Sequence, residues 1–216
     1  MPQFNERLRA DIDRFCERVY TDPIGVLDPD TLHHEFVSKN HGRKLDYDKI
    51  DSSTDFYIEW VAIYARALLQ IYPTRPPDAL VGIANGANRL ARSVGNLLGI
   101  LALETTKVDE KTVALNEDAI VEIDDNNVKF AVTIEDVGTT GGTTCTAVED
   151  LHRVGVPRVE SVNFHQRNLV LPRLETARTP HYAVIREQLP MFSPEECLNN
   201  PDGYCAQGKE LVRHGQ

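Results

Sequence analysis

Two adjacent carboxylates, Glu135 and Asp136, close the apolar run Val132-Thr133-Ile134, and Val137-Gly138-Thr139-Thr140-Gly141-Gly142-Thr143 follows directly. That order suits a phosphorylated sugar. Glycines let backbone N–H groups approach an anion, threonine hydroxyls donate further hydrogen bonds, and a helix that begins at the loop adds a partial positive charge. Ionised carboxylates only accept hydrogen bonds, which makes them partners for the vicinal hydroxyls of a ribose carried by that phosphate. Thr-Gly-Gly-Thr alone would serve equally as a turn and helix cap. The strand, the acidic pair and the loop in series point to a ligand. No lysine follows the glycines, so this is not the nucleotide P-loop.

Other residues could join such a site. Gly82-Ile83-Ala84-Asn85-Gly86-Ala87-Asn88 ends an apolar run, and on physical grounds alone Asn-Gly there reads as a turn. Arg89 and Arg92 just beyond could meet an anion or simply lie on the surface. Arg167 follows Phe164-His165-Gln166; its planar fork can pair with a carboxylate through two parallel hydrogen bonds, or it is an ordinary loop arginine. Cys197 and Cys205, with His214 further on, lack the paired spacing of zinc sites, and a tail packed on the core is the simpler account.

The elements that must position these residues follow from periodicity. Leu8, Ile12, Phe15, Cys16 and Val19 predict a helix over 5–20, and the apolar stretch 55–72 predicts a second, stopped by Pro73, Pro76 and Pro77. A parallel α/β series is expected next: strand 79–84, turn 85–88, helix 89–98 and strand 100–103. The runs 112–115 and 119–123, separated by Asn116-Glu117-Asp118, predict a hairpin. The series then resumes with strand 128–134, turn 138–143, helix 144–154 and strand 158–164, followed by a helical fragment at 169–176 and a strand at 181–185. Strand and helix in alternation imply right-handed crossovers and a mostly parallel sheet.

The chain has 216 residues, with 41% hydrophobic and 26% charged, which suits one globular core. Its formal net charge of −10 argues against a protein that coats nucleic acid. No apolar run approaches the ~20 residues of a membrane span, and the charged N-terminus does not resemble a signal peptide, so a cytoplasmic location is expected. Four scattered cysteines suggest reduced thiols.

The segment 132–143 resembles the binding motif for phosphoribosyl pyrophosphate (PRPP) of the type I phosphoribosyltransferases. The resemblance implies their α/β fold: a mostly parallel twisted sheet flanked by helices, with a small hood built from N-terminal and C-terminal segments. One domain is expected, with 1–54 as helix and hood segment, 55–190 as core and 191–216 as tail. By position, Glu135 and Asp136 would meet the ribose hydroxyls, and Thr139, Thr140, Gly141, Gly142 and Thr143 the 5-phosphate. Ala84, Asn85, Gly86 and Ala87 match the family's pyrophosphate loop. Residues 36–48 are similar to a segment of orotate phosphoribosyltransferases, which nominates Lys39 for PRPP, and Arg167 stands where those enzymes bind the carboxylate of the base. Here Asn40-His41-Gly42 replaces a shorter Ser-Gly.

The resemblance further implies Mg²⁺ as cofactor, a homodimer, and transfer of ribose phosphate from PRPP to a nitrogenous base, orotate first, in pyrimidine biosynthesis. Neither nucleic acid nor membrane is implied as a partner. Positive charge would grow on the ribose C1 as pyrophosphate leaves, with Lys107, Lys111 and Asp136 as catalytic groups and no covalent intermediate. Two alternatives stay open: another purine or pyrimidine base, which fits the PRPP residues and questions only Arg167, or a PRPP-sensing regulator, which the absence of the family's basic His-Gly loop from 104–111 favours.

Overall fold

The computed structural model describes residues 3–21, 33–36, 39–47, 50 and 54–212, without the side chains of Thr54 and Asn85. Val37, Ser38, Asp48 and His214 lie outside these residues. Helices α1 (Glu6–Thr21) and α2 (Thr54–Ile71) form where the apolar spacing predicts them; α1 buries Leu8, Ile12, Phe15 and Val19 along one stripe.

The core is a sheet of six strands: β3 (Ala79–Gly82), β4 (Leu101–Lys107), β5 (Val113–Leu115), β6 (Phe130–Gly138), β7 (Arg158–Gln166) and β8 (His181–Arg186), in the order β5-β4-β3-β6-β7-β8. Every pairing is parallel except β4 with β5, which is antiparallel. The pleat divides the side chains between two cores. Leu80, Val132 and Ile134 point into a cluster with α1 and α2, while Ala79, Val81 and Ala131 point into one with Ala119 and Ile123 of α4 (Glu117–Asp125) and Val148 and Leu151 of α5 (Gly142–Arg153). In the first cluster Phe164 meets Phe15, Trp60 and Tyr47 edge to face, and the Tyr64 hydroxyl donates to the Val162 carbonyl.

Three expectations need correction. The run 119–123 is a helix, α4, and not the second strand of a hairpin. The Asn116 side chain accepts from Ala119 N at 2.7 Å, Glu117 and Asp118 sit favourably in the first turn, and Ala119 and Ile123 bury one face. Residues 85–88 are not a turn. They open helix α3 (Ala84–Leu98), whose buried Ala87, Leu90, Ala91 and Val94 have helical spacing across the Asn-Gly pair. The strand expected over 100–103 also runs on to Lys107 as β4, so 104–107 is paired backbone.

A second sheet joins the two ends of the chain. Strands β1 (His34–Glu35), β2 (His41–Gly42) and β9 (Met191–Phe192) pair antiparallel in the order β1-β2-β9, and Val212 bridges to His34. The tail is more regular than its composition suggests. Helix α7 (Pro194–Asn199) starts in a capping box, with Ser193 accepting from Glu196 N and Glu196 reaching back to Ser193 N. The short helix α6 (Pro172–Thr176) lies against the first turn of α5 through Leu171, Leu174 and Cys145.

Candidate active site

The acidic pair and the glycine loop lie where β6 leaves the carboxyl edge of the sheet, the usual place for ligands in open α/β folds. Gly141 ends the loop and caps α5 with φ 76° and ψ 14°. A side chain is excluded there twice over: the backbone is left-handed, and a Cβ would stand 2.8 Å from Leu174 Cγ. The loop is held from outside by Asn168 Nδ2 donating to Thr139 O at 2.6 Å and Arg173 N donating to Thr140 O at 3.2 Å. The amides of Thr143 and Thr144 belong to the first turn of α5, whose N–H groups have no partner within the helix, and such an opening suits an anion.

Strand alternation sends Glu135 toward α5, where Thr144 Oγ1 donates to its Oε2 at 2.8 Å. Burial, with the Asp136 charge beside it, pushes the Glu135 carboxyl up to about 8 against the opposing effect of Thr144. Asp136 Oδ1 accepts from Val137 N at 2.8 Å. The pair thus combines one carboxyl that resists ionisation with a neighbour that aggravates it, an arrangement relieved by hydroxyl donors or a cation.

Strand β3, next to β6, supplies the second helix opening. Gly82 passes so close to α3 that a Cβ would lie 2.5 Å from Asn88 Cα. Ala84 takes φ 57°, unusual for a residue with a side chain. Thr105 fixes this corner: its hydroxyl accepts from Ala84 N and donates to Gly82 O, both at 2.8 Å, while its backbone is bound on both sides by the Asn88 amide. The Ala84 amide is therefore occupied, and those of Asn85, Gly86 and Ala87 form the helix opening.

Arg167 follows β7 directly, with its N–H donating to Gly138 O at 3.0 Å, so it stands beside the glycine loop. Its side chain is only 2% exposed. Among the described residues Nε and Nη2 have no hydrogen-bond partner, and the guanidinium lies 4.5 Å from the centre of the Phe36 ring. Burial lowers its pKa to about 10. A buried cation facing an aromatic ring without an acceptor is costly, and an anionic ligand group would offset that cost.

The other predicted residues are less concentrated. Lys39 occupies the tight β1–β2 turn at φ 65°, and its Nζ is 3.2 Å from Glu35 Oε1. Lys107 ends β4 and Lys111 sits in the short bend before β5, both exposed. Arg92 is ion-paired with Glu104, and Arg89 lies 4.5 Å over the Tyr57 ring. Sequence reasoning missed Thr105, Thr144 and Asn168, although each polar residue falls at a strand end or helix opening. It also missed the buried chain beside Arg167, in which Tyr47 OH lies 2.9 Å from His165 Nδ1 and His165 Nε2 3.3 Å from Glu187.

No family model matches the chain, and no curated protein does. Solved structures do. An orotate phosphoribosyltransferase from Aeropyrum pernix superposes with a TM-score of 0.57 at 14% identity, over 76% of this chain and 89% of that one. The orotate phosphoribosyltransferase of Mycobacterium tuberculosis H37Rv, in complex with Fe(III) dicitrate, gives 0.56 at 16% identity over 82% and 96%. An adenine phosphoribosyl transferase from Trypanosoma brucei, in complex with AMP, pyrophosphate and ribose-5-phosphate, gives 0.55 at 14% over 86% and 84%. The mixed sheet, its flanking helices and the two helix openings at its carboxyl edge are thus the type I phosphoribosyltransferase fold.

Proposed function

We propose that the chain is a phosphoribosyltransferase that transfers ribose 5-phosphate from PRPP to orotate, forming orotidine 5′-monophosphate and pyrophosphate. The observation that carries the choice of base is Arg167, buried beside the loop with two guanidinium nitrogens unpartnered. Orotate carries a carboxylate that a guanidinium binds in two parallel bonds; adenine, guanine, hypoxanthine and uracil carry none.

In this reading the α5 opening, with Thr139, Thr140, Gly141, Gly142 and Thr143, binds the 5-phosphate. Asp136 and Glu135 accept from the ribose hydroxyls, and the amides of Asn85, Gly86 and Ala87 bind the pyrophosphate. Lys39, Lys107 and Lys111 supply positive charge to the leaving group; for the exposed pair on β4 and the following bend this requires PRPP to extend to that edge. The site has the hard oxygen donors Mg²⁺ prefers, and the strain between Glu135 and Asp136 fits a cation nearby. Bound with PRPP, Mg²⁺ would neutralise phosphate charge. The protein's own part is to fix the ribose between two helix openings and to present the base to C1 from the Arg167 side, so that catalysis rests on positioning and charge stabilisation. A homodimer working in the cytoplasm on pyrimidine synthesis belongs to the same reading.

The test is pyrophosphate release from PRPP and Mg²⁺ with orotate, uracil, adenine, guanine or hypoxanthine. Release with orotate alone is expected. Release only with another base would overturn the role of Arg167. PRPP binding without turnover would favour a sensor, which the short bend at Val108–Lys111, in place of a long basic loop, would also suit.

A further inference from the structure

The sheet that joins the ends of the chain carries a cluster made of none of the residues proposed to bind PRPP. His33 and His41, both buried, meet Cys197 of α7 and Cys205 of the turn that follows it; one potential ligand atom from each residue lies within 4.8 Å of all the others. His33 Nε2 is 3.0 Å from His41 Nδ1, Cys205 Sγ is 3.4 Å from both of these nitrogens, and Cys197 Sγ is 3.6 Å from His33 Nε2. With Zn–N of about 2.0–2.1 Å and Zn–S of about 2.3 Å, a tetrahedral ion needs edges of about 3.3 Å between nitrogens and about 3.6 Å between nitrogen and sulfur. These four edges match this to within about 0.3 Å, and the other two, from Cys197 Sγ to Cys205 and to His41, are at most 4.8 Å.

We propose that His33, His41, Cys197 and Cys205 form a closed structural zinc site that ties the N-terminal segment to the C-terminal tail.

Two further features fit a metal better than a set of ordinary hydrogen bonds. His33 Nδ1 lies 3.0 Å from the Lys209 carbonyl, so it carries the proton and leaves the Nε2 lone pair directed into the cluster. The Cys205 amide donates to Cys197 Sγ at 3.2 Å, a bond that stabilises a thiolate. Uptake of Zn²⁺ releases one proton from each thiol, and two thiolates with two neutral imidazoles then cancel the charge of the ion, so the buried centre is neutral. The donor set of two sulfurs and two nitrogens selects zinc over magnesium or calcium. A two-iron cluster would hold the cysteines and histidines on different irons, whereas here sulfur and nitrogen lie only 3.4–3.6 Å apart.

The sheet depends on such a tie. Its strands are two residues long, too short to hold two chain ends by backbone pairing alone. It also carries Phe36, which covers Arg167, so the metal would fix one wall of the proposed base site.

The deciding measurement is the metal content of the purified full-length chain, followed by chelation and reloading with Co²⁺. About one equivalent of zinc is expected, as are the intense ligand-field bands of tetrahedral cobalt with sulfur-to-cobalt charge transfer. Cys197→Ser with Cys205→Ser should abolish both. Substoichiometric zinc in the wild-type chain with no tetrahedral cobalt spectrum would overturn the proposal, as would full retention of zinc by the double variant. If that variant does not fold, the wild-type cobalt spectrum decides. None of these readouts needs PRPP or turnover, so failure of the proposed activity would leave them unaffected.

Discussion

The glycine loop after β6 and the terminal sheet are held in opposite ways. Residues 135–144 are contiguous, run from a central strand into a helix, and are fixed by backbone geometry and neighbours such as Asn168 and Leu174. The terminal sheet is built from strands of two residues and from side chains up to 172 positions apart, as between Cys205 and His33. The first region forms wherever the parallel core forms; the second pairs little backbone and is joined largely through side chains. Phosphate and ribose are assigned here to the first region, while the second, through Phe36, closes over the arginine that would choose the base.

The largest effect should come from breaking the first region. Gly141→Val adds a left-handed backbone cost of about 1–2 kcal/mol and a clash with Leu174 of a further ~1–3 kcal/mol. PRPP affinity should fall at least a hundredfold, with a melting temperature lower by several degrees, measured by calorimetric titration and thermal unfolding. A variant that binds normally would mean that the loop does not need this shape.

Arg167→Met separates the binding of the base from stability. Losing a charged pair with a carboxylate costs about 2–4 kcal/mol, so kcat/KM for orotate should drop by roughly two to three orders of magnitude. The fold should keep or gain stability, because an unpartnered buried cation is replaced by an apolar chain. A large loss of stability with intact orotate kinetics would show a structural arginine.

Glu135 gives the next effect, through pH. Burial beside Asp136 raises its folded pKa to about 8, well above the ordinary carboxylate range, so the folded chain holds a proton that the unfolded chain releases. Stability from this group is complete below the unfolded pKa and is lost as pH rises toward about 8. Ligand hydroxyls and Mg²⁺ favour the ionised form, so PRPP affinity should rise about tenfold from pH 7 to pH 9, and Glu135→Gln should flatten that rise. An equal slope in both proteins would assign it to another group.

Lys39→Ala should matter least. Its exposed pair with Glu35 contributes at most ~1 kcal/mol, so the melting temperature should hardly move, with KM for PRPP rising a few-fold if the lysine meets the substrate. An unchanged KM would remove Lys39 from the site.

Legibility in the sequence follows the same division. The acidic pair, the glycine loop and the parallel series were readable because each lies within one segment and its chemistry is local. Arg167 was readable as a candidate, but its burial and missing partner were not, since both depend on Phe36 from the other end of the chain. The helix at 117–125 was misread because its apolar spacing also fits a strand, and only the Asn116 cap and packing against Leu103 and Leu115 decide between them. The cluster of Cys197 and Cys205 with His33 and His41 is not legible in the sequence, where the only histidine near the two cysteines is the distal His214; His33 and His41 are brought there by tertiary pairing. No spacing rule could reveal that.

PRPP is proposed to bind at the carboxyl edge of β6. Calorimetric titration of PRPP with Mg²⁺ into the wild-type chain and into Asp136→Asn tests it most directly. Saturable one-to-one binding by the wild type, weakened at least tenfold in the variant, is the predicted result; no binding by the wild type, or equal binding by both proteins, would contradict it.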